Sequence, residues 1–228
     1  MSFSGFEQSF FDFFAELSVN NNREWFQANK TRYENRVVTP ILNFIQAAQA
    51  PMAAVSNHIE AIPKRVGGSM FRIYKDVRFS KDKSPYKTHG AMQFRHEMGK
   101  DVHAPGFYVH LGVGEVFLGA GIWRPAADAL KKIRCAIRDH GDQWRAITAE
   151  AAFGDRFRMA GESLKRPPKG FPADHPLIED IKRKDFIAIH EMSVADFLKP
   201  DILDKVIDHF SLSGPLMKFL CDALGVPF

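Results

Sequence analysis

Between Pro63 and Trp123 the hydrophobic pattern changes to a period of two, and this limits the fold more than any other feature of the chain. In Met70 to Lys75, Ala91 to His96, Phe107 to Leu111 and Val116 to Ala120, apolar residues recur at every second position (Phe71 and Ile73; Met92 and Phe94; Phe107, Val109 and Leu111; Val116, Leu118 and Ala120), and Gly or Pro punctuates the intervals. Side chains alternate across a strand, so each segment reads as a half-buried strand of a mainly antiparallel sheet. Phe186 to Ile189 reads as a further strand.

The flanks read as helix. Phe10, Phe13, Phe14 and Leu17 recur at helical spacing, Asn20-Asn21-Asn22 supplies a break and an N-cap for Arg23, and Thr39-Pro40 restarts a helix with proline at its first position. Trp123-Arg124-Pro125 opens an amphipathic helix to about Asp139, and Asp142 opens another. Residues 155 to 174 look irregular, His175 to Lys184 holds a short helix, and Ser193 to Leu224 holds two or three, interrupted at Pro200 and Gly214-Pro215. No repeat or long linker divides the 228 residues, and 21 Phe in a 45% hydrophobic composition can fill a substantial core. The expectation is one α+β domain over residues 1–228, with four to five strands flanked by N-terminal and C-terminal helices.

Several function classes lack their signatures. No apolar run approaches the roughly 20 residues of a membrane span, and Met1 to Glu7 lacks a basic region followed by an apolar one, so a cytoplasmic protein without a membrane partner is expected. Cys135 and Cys221 sit in apolar patterns outside any C-x-x-C pair and read as buried thiols in a reducing compartment. Neither a G-x-S-x-G elbow nor a G-x-G-x-x-G or P-loop fingerprint occurs, and no cofactor is expected. His89, His96, His103 and His110 fall seven residues apart, but an odd spacing sends strand residues to opposite faces, so no metal site is expected.

Charge is concentrated where the strands are. Residues 64 to 110 carry a net charge of +6 against +4 for the whole chain, leaving the remainder at −2. Such a segment attracts anions. Within it, Arg72, Lys75, Arg78, Lys83 and Lys87 offer cations, Tyr86 and His89 neutral donors, and Phe79 and Pro85 groups that usually pack or turn, so an ordered loop is expected. Alternation puts Arg72, Arg95, Tyr108 and His110 on a common polar face, and the Gly-Ala-Gly of 119 to 121 before Trp123-Arg124 admits close approach of a ligand. Asp76 or Asp82 with His89 or His110 would form an acid–base pair beside the arginines.

The stretch containing Arg72, Asp76, Arg78, Phe79, Asp82, Lys83 and Tyr86 resembles the signature of a widespread bacterial family of unknown function, also found within fungal proteins. Lys75 stands where that signature has arginine, which keeps charge and loses the bidentate fork. Asn20 to Phe26, Gly106 to His110, Gly121 to Pro125 and Lys165-Arg166 are also similar to that family, which implies no established activity, cofactor or catalytic residue.

Three expectations follow. The leading one is an anionic small molecule bound by Arg72, Lys75, Arg78, Lys83, Tyr86, Lys87, His89, Arg95, Tyr108, His110, Trp123 and Arg124, with Asp76, His89 and His110 as catalytic candidates. The second is a nucleic-acid surface extended by Lys165, Arg166 and Lys182 to Lys184. The third is an internal ion-pair network without a ligand, in which loss of one partner of a buried pair destabilises the fold.

Overall fold

The computed structural model describes residues 3–99 and 104–228, so His103 lies outside the described residues. Among the described residues six strands, β1 (Ile59–Glu60), β2 (His89–His96), β3 (Gly106–Gly112), β4 (Val116–Ile122), β5 (Arg158–Ala160) and β6 (Phe186–Met192), form one sheet in the order β1-β2-β3-β4-β6-β5. Every neighbouring pair is antiparallel. The N-terminal helices are α1 (Gln8–Val19), α2 (Arg23–Ala28), α3 (Lys30–Tyr33) and α4 (Thr39–Val55). After the sheet's centre come α5 (Ala127–Asp139), α6 (Gly141–Ala149), α7 (Ala151–Gly154), α8 (Ile178–Ile181), α9 (Val194–Phe197), α10 (Ile202–Leu212) and α11 (Gly214–Leu224).

The register decides which side of the sheet is packed. Val109 lies between Met92 and Leu118, Phe107 between Phe94 and Ala120, and Ala120 opposite Ala188, so these residues share one face. Phe10 and Phe14 of α1, Ile41 and Phe44 of α4 and Phe210 of α10 pack on its first half, with Phe107 and Phe210 stacked at 4.4 Å. Ile133 and Ile137 of α5, Trp144 of α6 and Leu220 of α11 cover its second half at Ile122, Phe186 and Ala188. Gly90 lets α1 approach, since a Cβ there would stand 2.7 Å from Phe10 Cζ. On the opposite face Gln93, Arg95, Tyr108, His110, Phe117, Ile187 and Ile189 belong to neither hydrophobic cluster.

Four local expectations are corrected. Met70 to Lys75 is not a strand: it makes isolated bridges only, Met70 to Met92 and Tyr74 to Tyr86. Phe71 N–H donates to Ala91 O, but Lys75 N–H then turns to Pro85 O and Ile73 O accepts from Lys87 N–H, so its bonds are divided between β2 and its own return segment. Proline also has no N–H to reciprocate. The α-helix α4 does start at Thr39 with Pro40 in its first turn, but no break precedes it: α3 runs through a π-helical turn, Glu34–Val38, into α4, with Val38 helical and the Thr39 hydroxyl donating to Glu34 O. A wider turn absorbs the backbone bond that Pro40 cannot donate. Within the stretch read as irregular, Arg158–Ala160 pairs with Ile187 to Ile189 as an edge strand too short for periodicity to register. Cys221 is buried as expected, whereas Cys135 is half-buried; both are free thiols.

Candidate functional site

The charged loop satisfies most of its own charges. Asp76 accepts from Arg78 Nε at 2.9 Å and Nη2 at 2.7 Å, which holds its carboxyl down to about 2. Lys75 Nζ donates to Asp82 at 2.6 Å and to the Ser84 hydroxyl at 3.0 Å, and Asp82 also accepts the Ser84 N–H at 2.8 Å, so its carboxyl lies well below the usual range. Lys83 Nζ donates to Val77 O at 2.9 Å. Asp76 and Asp82 are thus held by loop cations, and neither hydrogen-bonds to His89 or His110. The pairs are solvent-exposed, with side-chain accessibilities of 76% and 46% for Arg78 and Asp76, so the network is not a buried one.

Two aromatic expectations reverse here. Phe79 does not pack: it is 96% exposed at the loop tip, with the Arg78 guanidinium 5.9 Å from its ring centre. Tyr86 is 2% exposed and stacks on Phe26 at 4.2 Å in the helical core, away from any ligand face. Asn21 fixes it there, donating to Tyr86 O at 2.9 Å and accepting its N–H at 3.1 Å.

On the open face of the sheet, folding brings three of the expected residues together. Tyr108 OH and His110 Nδ1 share a 3.1 Å hydrogen bond, the rings of His89 and His110 lie 4.1 Å apart, and His110 stacks on Phe117 at 4.8 Å. Burial pushes both histidines down to about 4, with the proximity of His110 and then Lys87 adding to the effect on His89. Burial raises Tyr108 to about 12. All three are neutral at pH 7. The carboxylate whose field reaches His89 is Glu115, in the β3–β4 turn, and not either aspartate of the loop.

Beside this trio the open face carries a groove of about 330 Å³. Gly106, Gly119 and Gly121 form its floor, Phe71, Tyr108 and Phe117 one wall, Trp123 one end and Ile187 with Ile189 the far side, while Gln93 is its polar side chain. Gly121 has φ of 131°, and a Cβ there would lie 2.0 Å from Phe186 O. At Gly106 a Cβ would stand 2.7 Å from Phe94 O. Gly119 differs: its nearest neighbour would be Tyr108 Cβ at 3.4 Å, an ordinary contact, so the backbone accepts a side chain there and the sequence leaves one out.

Cations stand on the rim. Lys87 Nζ lies 5.1 Å from the Phe71 ring centre and donates to Arg72 O, and burial followed by the charge of Arg72 lowers its pKa. Arg95 Nε donates to Gln93 Oε1 at 3.1 Å. The Arg124 guanidinium is 5.9 Å from the Trp123 ring centre. Arg124 adopts φ of 47°, strained for a residue with a side chain, and its N–H donates to Asp185 Oδ1 at 2.9 Å. Asp185, 4% exposed, also accepts the Glu162 N–H and so fixes the turn that presents Trp123 and Arg124.

Of the residues expected to bind, Tyr108 and Trp123 line the groove, Lys87, Arg95 and Arg124 each lie against one of its lining residues, Phe71, Gln93 and Trp123, and His110, with His89 beside it, stacks on Phe117 of its wall. Lys75, Arg78 and Lys83 are engaged in the loop, Arg72 is exposed, and Tyr86 is in the core. Sequence reasoning passed over Phe71, Phe117, Ile187 and Ile189, although strand alternation signals the last three, and it put Gln93 on the polar face with Arg95 without counting it among the binding residues. It had no signal for Asp185 or Glu115. Among the described residues no three His, Cys, Asp or Glu side chains gather as a metal site, and no helix is long and apolar enough to cross a membrane.

Fold and groove together define an α+β protein whose antiparallel sheet is packed on one face and open on the other. The chain belongs to the family described as Conserved hypothetical protein (DUF2461), whose model matches residues 9–219. No curated protein and no solved structure matches it.

Proposed function

We propose that the protein binds a small molecule joining a flat, largely apolar body to an anionic group, in a reducing cytoplasmic setting. The body lies over Gly119 between the Phe71–Tyr108–Phe117 wall and Trp123, and the anion meets Lys87, Arg95 or Arg124. The observation that carries this reading is Gly119. A glycine inside a strand weakens it, and here the backbone does not require one, so the missing side chain serves the space above it. Rim cations packed on Phe71, Gln93 and Trp123 would give that space its charge preference. For Lys75, Asp76, Arg78, Asp82 and Lys83 the loop's own hydrogen bonds favour a bracing role.

The test is a thermal-shift screen of aryl carboxylates, aryl phosphates, nucleotides and inorganic phosphate against wild type, Gly119→Leu and Asp76→Ala. A ligand at about 100 times its dissociation constant adds roughly 2.7 kcal/mol, a shift of several degrees. An aromatic anion should stabilise wild type and Asp76→Ala but not Gly119→Leu. Equal shifts in wild type and Gly119→Leu, or shifts lost only in Asp76→Ala, would reject the groove.

A further inference from the structure

We infer that the groove's ligand is a nucleotide, its base read by Gln93 and its phosphate held by the rim cations. This rests on the groove reading above. A guanidinium only donates, so the Gln93 atom facing Arg95 Nε at 3.1 Å is the amide oxygen. That bond fixes the amide and leaves its NH2, which makes no hydrogen bond among the described residues, for a ligand. A plain aryl ring would bury these donors without partners, whereas the ring carbonyls and ring nitrogens of a base accept them.

The surrounding groups match the rest of a nucleotide. Tyr108 and Phe117 stand on neighbouring strands with ring centres 5.7 Å apart, and Trp123 is 65% exposed at the groove's end, so a base meets an aromatic face on either side. Arg124 over Trp123 and Lys87 over Phe71 put cations beside those faces, where a phosphate attached to a stacked base would fall. The same chemistry is offered by a free mononucleotide and by one unit of a single strand.

The experiment is titration calorimetry of wild type, Gln93→Met and Gly119→Leu with the four common mononucleotides, the matching nucleosides, phenyl phosphate and a tetranucleotide. The preferred mononucleotide should bind at least about tenfold more tightly than its nucleoside and than phenyl phosphate. Gln93→Met should flatten the preference among bases while leaving the melting temperature unchanged, and Gly119→Leu should abolish binding of every compound. Phenyl phosphate binding as tightly as any nucleotide, with Gln93→Met silent and Gly119→Leu still blocking, would overturn the nucleotide inference and leave the groove standing. Binding unaffected by Gly119→Leu would overturn both. If the inference holds, a tetranucleotide preference that falls steeply with salt identifies a strand as the source, and equal affinities identify the free nucleotide.

Discussion

Tyr86 lies face to face with Phe26 inside the helical core, whereas Tyr108 stands on the open side of the sheet with its hydroxyl on His110. Tyr86 sits in a charged stretch of the sequence and Tyr108 in an apolar one, so local composition points the opposite way from burial. Removing the Tyr86 ring leaves a cavity in a packed core, so Tyr86→Ala should cost about 3–4 kcal/mol in urea denaturation and Tyr86→Phe less than about 1; an alanine variant as stable as wild type would mean the ring is not packed there. His89 and His110 supply a pH signature. Both titrate near 6.5 when unfolded and are held to about 4 when folded, so below 6.5 the unfolded chain takes up protons that the folded one refuses. Stability should therefore be flat above pH 7 and fall between about 6.5 and 4, above the range in which Asp76 begins to protonate. Urea midpoints at pH 7.5, 5.5 and 4.5 should show a shallower fall in a His89→Gln, His110→Gln double variant. A residual slope is expected from His209, which burial also lowers; an unchanged slope would exclude the pair as its source.

The loop that follows Met70–Lys75 is an element braced by its own side chains. Exposed ion pairs contribute little to global stability, but Lys75 ties Asp82 and Ser84 across the loop's neck. Lys75→Ala should leave the denaturation midpoint unchanged while trypsin cuts faster after Arg78 and Lys81. A large drop in the midpoint, with no new cleavage, would point instead to a network that supports the whole fold. The segment Met70–Lys75 itself shows the limit of periodicity, because alternation records which side chains are buried and not which backbone receives the hydrogen bonds. Ile73 is buried and Arg72 exposed, as in a strand, yet the ladder is split between β2 and residues 85 to 87.

At the scale of the molecule, the two faces of β4 and β6 should respond differently to the same change. Leu118 is fully buried under the helices, so Leu118→Lys should abolish cooperative folding, while Ile189→Lys, on the open face, should preserve the circular dichroism spectrum and block the groove. Equal loss of folding in both would show that the second face is also packed. Much of the architecture was legible because it rests on local signals: the period-two runs of 91–96, 107–111 and 116–120, the Asn22 cap, and the Gly214-Pro215 break all lie within a few residues of the structure they specify. The Gly119–Gly121 pattern beside Trp123 also singled out the face that carries the groove. What the sequence by itself determined is therefore the type and order of the main elements, the helices at either end and strands β2, β3, β4 and β6, and the apolar side of β2 and β3. Only the tertiary structure decided that Tyr86 enters the core and that Phe71, Tyr108, Trp123 and Ile189 line one groove, because burial depends on residues brought together across distant parts of the chain.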